Sequence, residues 1–116
     1  MYTWKNLLGI IFNSYLLVPA RVISINGGGV HIVENNVRLN CIVEGDPVPS
    51  VTWKKVDIRN HSTTVYRRFV LENNNRTIVL NKTTTNDSGV YVCVAENRYG
   101  KDEKNTSITI AGKHLI

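Results

Sequence analysis

The stretch Asp87-Ser88-Gly89-Val90-Tyr91-Val92-Cys93 is the part of the sequence that best defines its fold. Tyr91 and Cys93 are two residues apart, so both point to one face of a strand, because successive side chains alternate between faces. Cys41 and Trp53 lie upstream in runs with the same alternation of apolar and polar residues, which predicts half-buried strands. We therefore expect these four side chains to share one core.

The composition indicates one domain with an ordinary core. The chain has 116 residues, of which 42% are hydrophobic, and a second domain would not fit in this length. The net charge of +5 and the pI of about 9.4 could attract polyanions. The basic residues are scattered, however, and the two adjacent pairs, Lys54-Lys55 and Arg67-Arg68, place neighbours on opposite strand faces. A solvated basic surface is therefore favoured, and nucleic acid is not expected as a partner.

Residues 1–20 have the composition of a signal peptide. A lysine precedes an apolar stretch over residues 7–18, and Val18-Pro19-Ala20 provides small or modest residues at the positions that signal peptidase prefers. We expect cleavage after the alanine. Two polar residues interrupt the apolar stretch, which is then too short to cross a bilayer. An extra N-terminal strand or an arbitrary fragment edge is the alternative.

Short alternating runs separated by turn residues fill the rest of the chain. A glycine-rich lead-in over residues 21–29 precedes them, and a tail over residues 112–116 follows. The predicted strands cover residues 30–32, 37–43, 51–55, 66–71, 78–81, 89–97 and a last run that ends near 111. Residues 56–64 are predicted to form a loop, and Asn97-Arg98-Tyr99-Gly100 is predicted to form the hairpin turn before the last strand.

Three motifs together resemble those of I-set immunoglobulin domains. They are the run Gly45-Asp46-Pro47-Val48-Pro49-Ser50-Val51-Thr52-Trp53-Lys54, the run from Asp87 to Cys93, and Ala95-Glu96-Asn97-Arg98-Tyr99-Gly100. The similar region covers residues 30–111. The resemblance implies an all-β fold, an immunoglobulin-like Greek-key β-sandwich of two antiparallel sheets. The combined spacing is highly specific, although each motif alone is weak.

The resemblance also implies roles for the framework residues. Cys41 and Cys93 would form a disulfide, with Trp53 packed on it. Tyr91 would turn its hydroxyl back to the backbone just upstream, an arrangement called a tyrosine corner.

Asp87 and Gly89 complete the implied framework. Asp87 is expected to pair with Arg67 or Arg68, since a basic residue contacts this acid in similar domains. Thr83 is a departure, because the family usually has an aliphatic residue there. We expect its methyl group to point inward with some loss of burial.

The cell compartment is predicted from cysteines and asparagines. Two cysteines at this spacing favour a disulfide and hence the secretory route. The chain also has five Asn-X-Ser/Thr acceptor sequences, of which about two would arise by chance. An extracellular domain, secreted or at the cell surface, is therefore expected. The predicted glycosylation sites lie in loops or point outward from strands: Asn60, Asn75, Asn81 and Asn105. The fifth, Asn86, is crowded by the turn that follows it.

No catalytic, cofactor-binding or metal-binding site is predicted. The histidines, His31, His61 and His114, are far apart in sequence, and a third cysteine is absent. No Ser-His-acid grouping or metal-ligand spacing is present either. The chain is therefore not expected to be an enzyme or to need a cofactor.

Protein binding is the leading functional interpretation. The family resemblance implies an extracellular recognition module of a cell-adhesion or cell-surface receptor protein, whose partner could be another immunoglobulin-like domain. The first alternative is the ligand-binding ectodomain of a receptor tyrosine kinase of the fibroblast growth factor receptor type. Its heparan sulfate would bind the basic residues Lys54, Lys55, Arg67 and Arg68. The second alternative is a structural domain of an intracellular muscle scaffold, in which such cysteines can stay reduced.

Arg98 and Tyr99, at the predicted hairpin tip, are the leading candidates for partner contact. Arginine and tyrosine are enriched among residues that dominate binding energy. If Asn75 and Asn81 carry glycans, the sheet that contains them is shielded. The opposite sheet, which contains the hairpin, is then the predicted contact face.

Overall fold

The computed structural model describes residues 17–56, 62–64 and 69–113, and most of these residues lie in strands. The strands are β1 (Val18–Asn26), β2 (Gly29–Ile32), β3 (Val37–Asp46), β4 (Ser50–Val56), β5 (Ser62–Thr64), β6 (Val70–Glu72), β7 (Thr77–Leu80), β8 (Gly89–Asn97) and β9 (Gly100–Ala111). A single-turn 3-10 helix, Thr85–Asp87, lies between β7 and β8.

The strands form two sheets that pack face to face. The four-stranded sheet has the order β1-β3-β7-β6, and the five-stranded sheet has the order β2-β9-β8-β4-β5. The predicted sandwich is thus confirmed. One pairing departs from the expected antiparallel arrangement, because β2 runs parallel to β9.

Gly27 allows the chain to pass from β1 in one sheet to β2 in the other. Its φ of +107° lies in a region that residues with a side chain rarely adopt. A Cβ atom there would lie only 2.0 Å from the carbonyl oxygen of Arg38. The turn therefore requires glycine.

The sandwich begins earlier than the sequence predicts. Residues 21–26 are not a lead-in but belong to β1, which pairs antiparallel with β3. Val18–Ala20, the end of the predicted signal peptide, belong to the same strand, and Ala20 and Val22 are buried in the core. Residues 1–16 lie outside the described residues. The apolar burial of alternate residues explains why this segment forms a strand.

The bounds of three strands, β5, β6 and β9, differ from the predicted ones. Ser62–Thr64, predicted to be loop, pair with Lys54–Val56 of β4. The predicted strand over residues 66–71 corresponds to β6, and residues 65–68 lie outside the described part of the chain. The turn after β6 contains Asn73, Asn74 and Asn75, all with positive φ, a conformation that asparagine tolerates. The last strand begins directly at Gly100.

The core surrounds a disulfide between Cys41 of β3 and Cys93 of β8, which joins the two sheets. Trp53 of β4 is buried beside Cys93 in the strand register, and its indole N–H donates to the carbonyl oxygen of Asn75 at 2.9 Å. The other large buried side chains are Tyr91, Leu39, Ile78, Leu80, Ile108, Val22 and Val37. Period-two alternation places all of these residues inside.

Tyr91 forms the expected tyrosine corner. Its buried hydroxyl donates to the carbonyl oxygen of Asp87 at 2.7 Å, and the Asp87 carboxylate accepts the N–H of Thr84 at 2.8 Å. Gly89 has a φ of +152°, and a Cβ there would lie 3.1 Å from the carbonyl oxygen of Val56. The expected partners of Asp87, two arginines at 67 and 68, lie outside the described residues.

Thr83 is fully buried, contrary to the expected loss of burial. Its hydroxyl donates to the carbonyl oxygen of Asn35 at 2.9 Å, and its own carbonyl oxygen accepts the N–H of Glu34 at 2.7 Å. A buried hydroxyl is tolerated when it is hydrogen-bonded. Thr83 therefore ties the loop after β7 to the loop after β2.

Asp102 of β9 binds the edge of β1. Its carboxylate accepts the backbone N–H of Val22 at 2.8 Å. This hydrogen bond holds the pKa of the Asp102 carboxyl below its usual range, while burial opposes the shift. The pKa of Glu34 is also lowered, by a hydrogen bond from Lys113 and by the charge of that lysine.

Replacing both Cys41 and Cys93 with alanine should destabilise the domain strongly. The bond spans 52 residues, and the chain-entropy model assigns a loop of this length about 4 kcal/mol of stabilisation. Chemical denaturation of the oxidised protein and the double variant measures the difference. Equal unfolding free energies would contradict the role assigned to the bond.

Asp102→Asn should make the free energy of unfolding depend less on pH in acidic solution. Asparagine keeps an acceptor for the Val22 N–H but does not titrate. Because the folded-state pKa is lowered, the carboxylate stabilises the fold above its unfolded pKa of about 3.9, and this contribution disappears as pH falls through the folded pKa. Urea denaturation between pH 7 and pH 2 should therefore show a smaller loss for the variant.

Glu34→Gln is the matched control for this measurement, because it removes the other carboxyl with a lowered pKa and leaves Val22 bound. This variant should remove only the contribution of Glu34 to the pH dependence of the unfolding free energy. Identical profiles for wild type and Asp102→Asn would show that Asp102 does not contribute.

Candidate functional site

The hairpin between β8 and β9 ends in two exposed residues, Arg98 and Tyr99. The flanking residues, Asn97 and Gly100, pair directly with each other, so the turn is as tight as the sequence predicts. The Arg98 guanidinium carbon lies 5.8 Å from the centre of the Tyr99 ring, within the range of a cation–π contact. The tip therefore presents a positive charge stacked on an aromatic ring.

The Asn97 side-chain amide holds three segments together beneath this tip. Its nitrogen donates to the carbonyl oxygens of Val18 at 2.8 Å and Pro47 at 3.0 Å. Its oxygen accepts the N–H groups of Ala20 at 3.2 Å and Tyr99 at 2.9 Å. All hydrogen-bonding positions of the amide are thus used. Asn97 fixes the start of β1, the β3–β4 loop and the hairpin tip relative to one another.

Two exposed apolar side chains belong to the segments that Asn97 holds beside the tip. Leu17, next to Val18, is 66% exposed, and Val48, next to Pro47, is 72% exposed. Tyr99 is 38% exposed. We call Leu17, Val48, Arg98 and Tyr99 the end surface, because each is bound by Asn97 or is next in sequence to Asn97 or to a residue that Asn97 binds.

Sequence reasoning identified only half of the end surface. Leu17 was hidden within the predicted signal peptide, and Val48 within a proline-rich turn. The role of Asn97 depends on partners 50 to 79 residues away in sequence. The Pro-Val-Pro sequence at residues 47–49 was the one available signal, since an apolar residue held between prolines in a turn tends to be exposed.

The structure does not bring Lys54 and Lys55 together as a basic site. They point to opposite sides of β4. Lys54 lies 3.8 Å from Glu103 in an ion pair across the outer face of the sheet. Lys55 donates to the carbonyl oxygen of Asn86 at 2.6 Å and lies over the Tyr91 ring. The other two predicted binding residues, Arg67 and Arg68, lie outside the described residues.

Three of the predicted glycosylation sites are exposed in the structure. Asn75 and Asn81 flank β7 of the four-stranded sheet, and Asn105 lies on β9 opposite Val92 in the five-stranded sheet. Asn60 lies outside the described residues. A glycan on Asn105 would cover the sheet that sequence reasoning favoured for partner contact. The end surface contains no acceptor asparagine.

The described residues contain no group of three or more His, Cys, Asp or Glu side chains arranged to hold a metal ion. Within the same residues, no helix is long and apolar enough to span a membrane.

Comparison with known proteins identifies the family. The model of the immunoglobulin I-set domain matches residues 25–110. Roundabout homolog 2 of Homo sapiens is 37% identical over 81 residues, which cover 70% of this chain and 6% of that protein. The titin homolog of Caenorhabditis elegans is 38% identical over 80 residues, which cover 69% of this chain and, after rounding, 0% of that protein. The chain thus spans a small fraction of either relative.

The solved structure of a mutant complex of titin and obscurin-like 1 Ig has the same fold. Its TM-score is 0.67 at 22% identity, over 81% of this chain and 94% of that chain. The matched family is typically non-enzymatic. From the family match, the two-sheet architecture and the disulfide between the sheets, we conclude that the chain belongs to the immunoglobulin I-set family.

Proposed function

We propose that this domain is an extracellular recognition module that binds another protein through its end surface. The observation that carries the proposal is the cluster of exposed apolar and aromatic side chains around Asn97, with a stacked arginine beside them. Buried aromatic and arginine anchors account for most binding energy in protein interfaces. Asn97 holds the backbone beneath these side chains, so little conformational freedom is lost on binding.

An extracellular location is supported by three properties of the chain. Disulfides persist in oxidising compartments, and both cysteines of the chain are joined in this one. Asn75, Asn81 and Asn105 are exposed within acceptor sequences, so each could carry a glycan without disturbing the core. The lysine followed by the apolar stretch over residues 7–18 also favours a leader.

The predicted cleavage after Ala20 would remove the first three residues of β1 and two of the backbone groups that Asn97 binds. A cut before Leu17 would leave this strand complete. We therefore place the mature N-terminus upstream of the position that the sequence pattern favours.

A protein partner with its own immunoglobulin-like fold is the class we favour. The structural neighbour solved as a titin complex with obscurin-like 1 Ig supports this class, since that pairing is between proteins. The stacked Arg98 would complement a carboxylate on the partner, and Leu17 and Val48 would meet an apolar surface.

The two alternatives have different support. A heparan sulfate site in a receptor tyrosine kinase needs clustered cations, and Lys54 and Lys55 are separated by the strand and engaged elsewhere. An intracellular scaffold domain draws support from the similarity to the titin homolog. Formed disulfides and occupied acceptor asparagines would exclude the scaffold.

Protein secreted from a eukaryotic cell should carry N-linked sugar and no free thiol. Intact mass before and after glycosidase treatment measures sugar occupancy, and thiol labelling under denaturing conditions measures the disulfide. Single Asn→Gln variants at positions 75, 81 and 105 assign the occupied sites. An unchanged mass together with two free thiols would support the intracellular alternative.

Arg98→Ala combined with Tyr99→Ala should weaken partner binding. We expect a loss of at least about 2 kcal/mol, roughly 30-fold in affinity, because residues of these types dominate interfaces. Binding is measured against a panel of extracellular immunoglobulin-like domains displayed on beads. Lys104→Ala, exposed on β9 outside the end surface, is the control and should bind as wild type does. Equal binding by the double variant would place the contact elsewhere.

A further inference from the structure

The start of β1 lies in a slot built from three residues of three other strands. Gly45 of β3, Asn97 of β8 and Gly100 of β9 surround the segment Val18-Pro19-Ala20. Ala20 is only 3% exposed, although it lies near the beginning of an edge strand. The slot is thus filled by the chain itself.

The two glycines make room for this segment. A Cβ on Gly100 would lie 2.9 Å from the Cβ of Pro19, and a Cβ on Gly45 would lie 3.1 Å from the Cα of Ala20. Real Cβ contacts are essentially never as short as the first and seldom as short as the second. Side chains at either position would therefore exclude a Pro-Ala sequence from the slot.

Asn97 supplies the hydrogen bonds that a neighbouring strand would otherwise make. Its amide binds the carbonyl oxygen of Val18 and the N–H of Ala20, the two groups on either side of Pro19. Proline has no N–H, so no donor of this segment is left unsatisfied on that side. The slot therefore has room for a proline, and it offers hydrogen bonds to the residue before the proline and to the residue after it.

We propose that Gly45, Asn97 and Gly100 form a recognition slot for an extended Val-Pro-Ala segment. It is filled in cis by residues 18–20, and the same segment of a second copy fills it in trans when the cis segment is cut off or displaced. Exchange of an identical element between copies needs no new contact, because the incoming segment repeats those already present. The slot shares Asn97 with the end surface, but it takes up a segment of this chain and not a partner protein, so different measurements test the two proposals.

A displaced-segment variant tests the exchange. Ala20→Arg places a large charged side chain where only a methyl fits, and it should expel residues 18–20 while residues 21–26 stay paired with β3. A capped peptide of residues 15–20 is the probe. Its affinity for the variant should be at least about tenfold higher than for the wild-type chain, whose slot is occupied.

The binding is followed by NMR through the side-chain amide signals of Asn97, which should shift on peptide addition. Adding Gly100→Ala to the Ala20→Arg chain should abolish the shift. Adding Gly112→Ala, where a Cβ meets nothing within 4 Å, should preserve it. A folded Ala20→Arg chain that binds the peptide no better than wild type overturns the proposal.

Hydrogen exchange in single glycine variants tests the slot without a displaced segment. Gly100→Ala should speed exchange of the Ala20 amide at least about tenfold, with the amides of the Cys41 region unchanged, because only the local opening is affected. Gly112→Ala should leave both regions as in wild type. Equal protection of Ala20 in the two variants would show that the slot does not hold the segment. The end surface could then still bind its partner, so the two proposals fail separately.

Discussion

The disulfide between Cys41 and Cys93 is the constraint on which the other contacts depend. It sets the distance between the two sheets at their centre, where β3 faces β8. Asn97 lies four residues beyond Cys93 on β8, and β1 pairs with the strand that carries Cys41. The disulfide holds β3 beside β8, and β3 in turn holds β1. The Asn97 amide on β8 can therefore reach the backbone of β1. The arrangement of the end surface therefore follows from the core.

Sequence reasoning succeeded where the signal is local. Alternation with a period of two places Leu39, Cys41, Trp53, Tyr91 and Cys93 inside, and each of them is buried. The resemblance to I-set domains implies the tyrosine corner, and the two groups of that hydrogen bond are only four residues apart. The fold class follows from the same resemblance, whose motifs each lie within a short stretch of sequence.

The sequence is ambiguous where two physical explanations fit the same residues. An apolar run ending in Val-Pro-Ala is typical of a signal peptide. The same run also suits an edge strand whose small residues pack under Asn97. Thr83 looked like a loss of burial because its acceptor, the carbonyl oxygen of Asn35, is 48 residues away. The candidate binding site shares this property, since Leu17 and Val48 become neighbours of Tyr99 only through the folded chain.

Charge and burial together distinguish the surfaces of the domain. Ion pairs cross the outer faces of both sheets, Arg38 with Glu72 on one and Lys54 with Glu103 on the other. Exposed acceptor asparagines lie on both sheets as well. The end surface combines exposed apolar side chains with a cation and contains no acceptor asparagine.

The parallel pairing of β2 with β9 has a mechanical consequence. Both strands run in the same direction. Tension on the two ends of the chain pulls β2 toward the β8–β9 hairpin and pulls β9 the opposite way. The two strands are therefore loaded in shear, parallel to their axes. Backbone hydrogen bonds between strands loaded in this direction share the force and break together rather than one after another. The domain should therefore resist stretching along its length more strongly than the short β2 strand alone would suggest.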